Sequence, residues 1–369
     1  MKVLHILSVM MVGGIQKFLL NLLPRLKSSD VEVEVICIRE KGEWAPILEE
    51  KGIPVSLVKV KKRGWTLRTI MDILKLSFHL SKKRPDLVHL HRYPISLRGG
   101  VAALILGIPY IMHYHGMREP ESPLSLKIER LLLRRAKAII AVSQAVKRDI
   151  VERLDAPHLK ISVIHIGVDP ADYASKSSPS TDLHIPSSGY TIGMVARLVP
   201  VKRVPDFVKA VSILEGLRKD MACIFIGDGK ENRRAKIEKM RRDLGLTSLI
   251  LAGKRSDVPN ILSSFDVGVL TSEKEGQSIV LIEYLLSGAA VVATEFLAAF
   301  EIIENHKCGL LAPVGDCTQI ASAISYLLDN PRARRKLKAN GLRRSKRFLI
   351  DKVALDCVSL YERVLSQNC

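Results

Sequence analysis

Residues 87–116 read LVHLHRYPISLRGGVAALILGIPYIMHYHG. Leu87–Leu90 and Tyr110–His113 are short runs that are apolar on both faces, and between them Leu97–Leu106 carries a helical pattern. A buried strand, a helix and a second buried strand make a β-α-β unit, with the strands parallel and covered by helices on both sides. The same alternation extends in both directions. Upstream it reads strand Val3–Val9, helix Ile15–Leu26, strand Val31–Ile38, helix Pro46–Lys51, strand Val55–Val60 and helix Leu67–Leu80. Downstream come helix Leu124–Ala136, strand Ala138–Val142 and helix Gln144–Arg153.

Ala171–Gly189, rich in Ser and Pro and without period, reads as a linker. The alternation then restarts: strands Thr191–Val195, Ala222–Ile226, Leu249–Ala252, Val267–Leu270 and Ala290–Thr294, helices Val204–Glu215, Glu231–Leu244, Ile279–Leu286 and Thr318–Leu328. The expected organisation is a first doubly wound domain over 1–172, a linker over 173–189, a second doubly wound domain over 190–350, and a final helix over 351–369. In doubly wound sheets ligands bind beyond the carboxyl ends of the strands, so the cleft between the domains is the expected site.

Composition sets limits on function. The 369 residues are 47% hydrophobic and 26% charged, a globular balance that suits two domains. Lys plus Arg is 57 against 38 for Asp plus Glu, a net charge of +19. That surplus suits a polyanionic neighbour, but aromatics at 5% offer few stacking platforms for nucleic acid. The six cysteines form no CxxC pair and fit reduced thiols in the cytoplasm. Met1–Val12 lacks an A-x-A cleavage site and runs into Gly13-Gly14, so it reads as a buried first strand. Val101–Met112, the longest uncharged apolar stretch, is too short for the ~20 residues of a membrane span.

The chemistry concentrates in Glu275-Gly-Gln-Ser-Ile-Val-Leu-Ile-Glu283. Glu283 lies in a helix with apolar neighbours all round, where a carboxylate is costly unless a polar group meets it. Ser278 is a good N-cap, so the N–H groups of Gln277 to Val280 at the helix start welcome an anion. Five residues separate Ser278 from Glu283, roughly 7.5 Å of helix, about the span from a nucleotide's phosphates to its ribose hydroxyls. A buried Glu paired with a structural Arg or Lys fits the spacing equally well. Arg197 and Lys202, just beyond strand Thr191–Val195, add two cations able to clamp a diphosphate, or else two solvated loop cations.

Together these residues resemble the retaining GT-B glycosyltransferases of group 1, whose motif is E-x7-E with glycine after the first Glu. Glu275-Gly276…Glu283, Arg197 and Lys202 five residues apart, Gly13-Gly14, Gly227-Asp228-Gly229, Ala141-Val142-Ser143 and Ile166-Gly167-Val168-Asp169 carry the likeness over nearly the whole chain. The resemblance implies two Rossmann-like doubly wound parallel-sheet domains facing across a cleft, the first (1–172) for the acceptor and the second (190–350) for the donor, with the final helix over 351–369 crossing back to the first, and a nucleotide-sugar donor, most simply a UDP-sugar. It implies that Glu283 holds the ribose hydroxyls, Arg197 and Lys202 the diphosphate, and Glu275 the sugar hydroxyls. The backbone at Gln277, Ser278 and Ile279 would touch sugar or phosphate. Gly13 and Gly14 would let backbone approach phosphate, Lys254-Arg255 would pack the base, and His115 would lie near the transferred sugar. Two departures stand beside the donor: Arg203 replaces the usual glycine after the lysine, and Gln277-Ser278 replace Phe-Gly.

His89 with His91, and His113 with His115, alternate along two strands and so share faces. With no carboxylate or cysteine ligand at metal-site spacing nearby, they read as hydrogen-bonded structural groups, and no metal is expected. The chain also lacks Asp-x-Asp and G-x-G-x-x-G, which sets aside metal-dependent sugar transferases of the other fold and dinucleotide oxidoreductases. Sugar-nucleotide epimerases of the same architecture, or an inactive anion- or nucleic-acid-binding module, are the alternatives. The resemblance favours transfer to a glycan or lipid-linked acceptor in envelope polysaccharide or glycolipid synthesis, with no nucleic acid.

Between Lys59 and Arg84 lie nine basic residues and one acid, Asp72, with Trp65 among them. Leu67, Ile70, Met71, Leu74 and Phe78 recur there at helical spacing. The stripe reads as a core-facing face with a solvated basic face opposite. The charge, together with the lipid-linked acceptors of relatives, leads to an expected peripheral association with the inner face of the cell membrane.

Overall fold

A computed structural model of the chain describes all residues except 12, 61–66, 92–96, 118–121, 174–182, 184–188, 368 and 369. Most of the expected linker over 173–189, and Lys61, Lys62, Arg63 and Trp65, therefore lie outside the described residues. The chain divides into two compact units, one of Met1–Gly167 with the segment from Ile350, the other Val168–Leu349.

In the first unit the alternating elements are β1 (Lys2–Leu7), α1 (Gly14–Lys27), β2 (Glu32–Cys37), α2 (Ala45–Glu50), β3 (Val55–Leu57) and α3 (Leu67–Lys83). They continue as β4 (Leu87–His91), α4 (Leu97–Ile105), β5 (Tyr110–Tyr114), α5 (Pro123–Arg135), β6 (Ala138–Ala141), α6 (Gln144–Leu154) and β7 (Ile161–Val163). All seven strands are parallel, in the order β3-β2-β1-β4-β5-β6-β7. Every residue of β4, β5 and β6 is buried, which is why these strands are apolar on both faces apart from their histidines. Chain order reverses at β1/β4, and such a switch opens a crevice beyond the strand ends. α14 (Ile350–Ser366) belongs to this unit and packs on α1, with Arg25 paired to Asp351. Ser143 caps α6, accepting from Val146 N–H at 3.1 Å.

The second unit repeats the plan with β8 (Tyr190–Val195), α7 (Val204–Leu217), β9 (Met221–Ile226), α8 (Glu231–Asp243), β10 (Leu249–Gly253), α9 (Val258–Leu262) and β11 (Val267–Leu270). There follow α10 (Ile279–Ser287), β12 (Ala290–Thr294), α11 (Leu297–Ile302), β13 (Leu310–Ala312), α12 (Cys317–Asp329) and α13 (Pro331–Ser345). Its six parallel strands run β10-β9-β8-β11-β12-β13, with the switch at β8/β11. Two glycines are fixed by close packing. A Cβ on Gly268 would lie 2.6 Å from the Tyr284 ring, and one on Gly227 would lie 1.8 Å from the Ala196 carbonyl oxygen. Gly227 also has φ +150°, a conformation that favours glycine.

The apolar stripe of α3 corrects the sequence reading. Ile70, Met71, Leu74 and Phe78 are exposed, while Thr69, Asp72, Leu76 and Leu80 are buried. The buried side is the one that packs on α4, where Asp72 meets Arg98 at 3.9 Å. Among the described residues no helix is long and apolar enough to cross a membrane.

Candidate active site

The second unit assembles its polar groups at the β8/β11 switch. β8 runs through Ala196-Arg197-Leu198 into a 3-10 turn, Pro200–Lys202, and β11 runs through Thr271–Ser278 into α10. The two loops are joined: Glu273 N–H donates to the Val201 carbonyl at 2.8 Å, and the Thr271 hydroxyl lies 2.9 and 3.0 Å from the Lys202 and Arg203 carbonyls. Lys202 Nζ thereby reaches Glu275 Oε1 at 2.8 Å, and the Ser272 hydroxyl donates to the same oxygen at 2.7 Å. Both side chains of the ion pair are mostly buried, at 15% and 11% exposure. One half of the notional clamp is thus already engaged, and a ligand at Glu275 has to share it with Lys202.

Ser278 is the N-cap of α10, accepting from Leu281 N–H at 3.4 Å. It is fully buried and Gln277 nearly so, while Gly276 and Ile279 are half-buried. Glu283, one turn further, is half-buried rather than enclosed, and accepts a hydrogen bond from the Tyr173 hydroxyl at 2.7 Å. Burial and the Glu283 carboxylate both push the Tyr173 hydroxyl pKa well up, so the phenol stays a donor. Tyr284 anchors α10 from below: its hydroxyl accepts from Val195 N–H at 2.8 Å and donates to the Val269 carbonyl at 3.2 Å. Arg197 is exposed. Lys254 is exposed and Arg255 is fixed by a two-pronged contact with Asp257, both distances 2.8 Å.

Arg203 has φ +48°, the left-handed conformation that glycine adopts freely. The departure from the family's glycine is therefore a substitution into a glycine-shaped position. Its guanidinium is tied to Asp206, Nε to Oδ2 at 2.6 Å.

The first unit fills the matching switch with imidazoles. His5 on β1, His89 and His91 on β4, His113 on β5 and His115 just past it share one face. His5, His91 and His115 form a ribbon, with N···N distances of 3.0 and 2.9 Å. His89 and His113 form a second, 3.1 Å apart, and His89 Nδ1 lies 2.7 Å from the Tyr361 hydroxyl on α14. The ribbons stack, with His89 over His91 at 4.4 Å and His113 over His115 at 4.0 Å between centroids. Burial pushes the pKa of His5 and His115 from 6.5 down to about 3, and burial with neighbouring rings holds the other three well below 6.5. Ligating nitrogens of His5, His89 and His91, and of His91, His113 and His115, lie within 4.8 Å of one another. The rings are within 37° of parallel, so their in-plane lone pairs run side by side, whereas a tetrahedral ion needs them convergent. This arrangement suits a hydrogen-bonded stack. Gly13, half-buried, and Gly14, exposed, stand at the start of α1 beyond β1 in this unit.

Sequence reasoning found four of the five histidines and missed His5, which reaches the others only through the β1/β4 register. It also missed Tyr173, which is 110 residues from Glu283.

Comparison with known proteins bears on the family and the fold. Residues 12–172 match the model of Glycosyltransferase Family 4, and residues 179–344 match that of Glycosyl transferases group 1. The chain is 24% identical to the UDP-Gal:alpha-D-GlcNAc-diphosphoundecaprenol alpha-1,3-galactosyltransferase of Escherichia coli, covering 89% of this chain and 88% of that one. It is 26% identical to the 2-deoxystreptamine glucosyltransferase of Streptomyces kanamyceticus, over 94% and 92%. Among solved structures, Anabaena Alr3699/HepE in complex with UDP superposes with a TM-score of 0.86 at 22% identity, covering 98% of this chain and all of that one. The fold is GT-B, with a Glycosyltransferase Family 4 match in the first half of the chain and a Glycosyl transferases group 1 match in the second.

Proposed function

We propose that this glycosyltransferase moves a sugar from a nucleotide-diphosphate donor, a UDP-sugar, to a glycan or lipid-linked acceptor, with retention at the anomeric carbon and without a metal. The observation that carries the reading is Lys202 held at 2.8 Å from Glu275, beside the start of the Ser278-capped helix α10. A departing diphosphate gains negative charge as the glycosidic C–O bond breaks. Lys202, Arg197 and the start of α10 would stabilise that charge. The acceptor oxygen attacks from the face the nucleotide leaves, and its proton passes to the departing phosphate, so no carboxylate base is assigned. Glu283, with Tyr173 as its hydrogen-bonding partner, would hold the ribose hydroxyls, Glu275 the sugar hydroxyls, and Lys254 and Arg255 would flank the base.

The UDP-Gal and diphosphoundecaprenol in the name of the E. coli relative, and the UDP and UDP-glucose complexes of the Anabaena neighbour, support this donor and acceptor class. The same reading makes the protein an enzyme of envelope polysaccharide or glycolipid synthesis, working in the cytoplasm. The free thiols of Cys37, Cys223, Cys308, Cys317 and Cys357 suit that compartment.

A panel of nucleotide sugars tests it. One UDP-sugar should raise the unfolding temperature, a ligand at 100 times its dissociation constant adding about 2.7 kcal/mol. The anomeric proton coupling of the product should match that of the donor, and turnover should survive EDTA. An inverted product would overturn retention. Loss of turnover restored by zinc or manganese would overturn metal independence and return attention to the histidine stack.

A further inference from the structure

Helix α3 is amphipathic in the reverse sense for a helix on a protein core. Its packed side carries Thr69, Asp72, Leu76 and Leu80, while Ile70, Met71, Leu74 and Phe78 are 55%, 56%, 56% and 63% exposed. Single exposed apolar residues are ordinary, but four large ones together are not. At about 100° per residue the four fall within an arc of roughly 100° along the outer face. Arg68, Lys75 and Lys82 occupy the next ~40° of the same helix, so a basic edge borders the apolar stripe. Lys82 Nζ sits 4.5 Å from the Phe78 ring centroid, which brings charge and apolar surface to one place.

The charge of this face has one sign. The single acid of α3, Asp72, is buried against Arg98. Lys83 is tied to Glu34 at 2.7 Å on the packed side and is not counted. Among the described residues Arg68, Lys75 and Lys82 form no ion pair, and the sequence just before α3 adds Lys59, Lys61, Lys62, Arg63 and Trp65. A second copy docking here would set basic edge against basic edge. An anionic bilayer complements both parts of the surface at once and asks for no matching groove.

We propose that the outer face of α3 docks the protein on an anionic lipid surface, with Ile70, Met71, Leu74 and Phe78 entering the headgroup–acyl boundary and Arg68, Lys75 and Lys82 meeting lipid phosphates. The occupant is a lipid surface, recognised by negative charge over an apolar layer. The inference stands apart from the sugar-transfer reading, because binding is measured with no donor present.

The full chain is sedimented with vesicles of phosphatidylcholine alone or mixed with phosphatidylglycerol, over a range of salt. Binding should appear with phosphatidylglycerol and weaken as salt rises. Leu74→Glu/Phe78→Glu should lower the partition coefficient by about tenfold or more, since each side chain forfeits its burial in the boundary. Lys75→Glu/Lys82→Glu should lower it by a similar factor and flatten the salt dependence. All four positions are on the exposed face, so circular dichroism and transfer to a water-soluble acceptor should be unchanged in both variants. Equal binding to both vesicle types, no binding to either, or undiminished binding by Leu74→Glu/Phe78→Glu would overturn the proposal. So would a wild-type dimer in equilibrium sedimentation that Leu74→Glu/Phe78→Glu abolishes, which would assign the face to a second copy.

Discussion

At the β1/β4 switch the first unit stacks five neutral imidazoles, four buried and His115 half-buried; at the β8/β11 switch the second sets a lysine against a glutamate. The backbone plan is the same, and the chemistry at the strand ends is opposite in kind. One arrangement works only while its members stay uncharged, the other only while both stay charged. The difference teaches that a doubly wound sheet fixes where a site stands and leaves its electrostatics to a few side chains.

Acid should break the comparison most strongly. In the unfolded chain each histidine takes a proton near pH 6.5, whereas His5 and His115 in the folded unit hold out to about pH 3. The unfolded state therefore binds more protons between these values. Stability from the stack is fully present above pH 6.5 and is lost as pH falls towards 3. Each histidine removes up to about 1.4 kcal/mol per pH unit in that window, so several together cost several kcal/mol. Amide exchange followed from pH 7 to pH 5 should show β1, β4 and β5 opening well before β8 and β11. Simultaneous opening of both sheets would show that the stack does not set the acid limit.

Lys202→Ala comes next. Loss of a charge-assisted contact costs about 1.5–3 kcal/mol, or roughly 10- to 150-fold in turnover, and it also leaves Glu275 mostly buried beside no cation. Steady-state rates should fall by that factor while the first unit's amide protection stays as in wild type. Turnover at the wild-type rate would remove Lys202 from the donor site. Tyr361→Phe is the counterpart in the first unit. It deprives His89 of its partner on α14, at a cost of about 1–3 kcal/mol in urea unfolding. An unchanged unfolding midpoint would mean that His89 does not depend on that hydroxyl.

The two sites were not equally legible in the sequence. Glu275, Arg197 and Lys202 sit in loops or turns, Ser278 at a helix start and Glu283 one turn further along an apolar helix, where a charge or a cap stands out against its surroundings. The histidine stack depends on strand register, so His5 in an apolar run carries no signal until β1 lies beside β4. Tyr173 is invisible for the same reason, its partner being remote in the chain. β7 and β13, three residues each, and α9 and α11, five and six, are too short for periodicity to reveal. On α3 periodicity finds the stripe but cannot say which side the protein buries, and the side it buries carries Thr69 and Asp72 beside Leu76 and Leu80.

The smallest effect concerns Arg203. Its left-handed conformation costs an ordinary residue roughly 1–2 kcal/mol, which glycine would avoid. Glycine in turn gives up about 0.5–1 kcal/mol of chain entropy on folding. It also loses the part-exposed contact with Asp206, worth about 0–1 kcal/mol. These terms oppose one another, so Arg203→Gly should leave stability within about 1 kcal/mol of wild type. Arg203→Ala keeps the strain and loses the contact, and should be the less stable of the two by up to about 1 kcal/mol. Neither should move Lys202, because the Thr271 hydroxyl and the Glu273–Val201 hydrogen bond hold the loop from the other side. Urea unfolding and donor KM, measured together on both variants, check the argument. A drop in donor affinity with Arg203→Gly at unchanged stability would show that the arginine itself meets the donor, and the second site would then hold one more working cation than its geometry assigns.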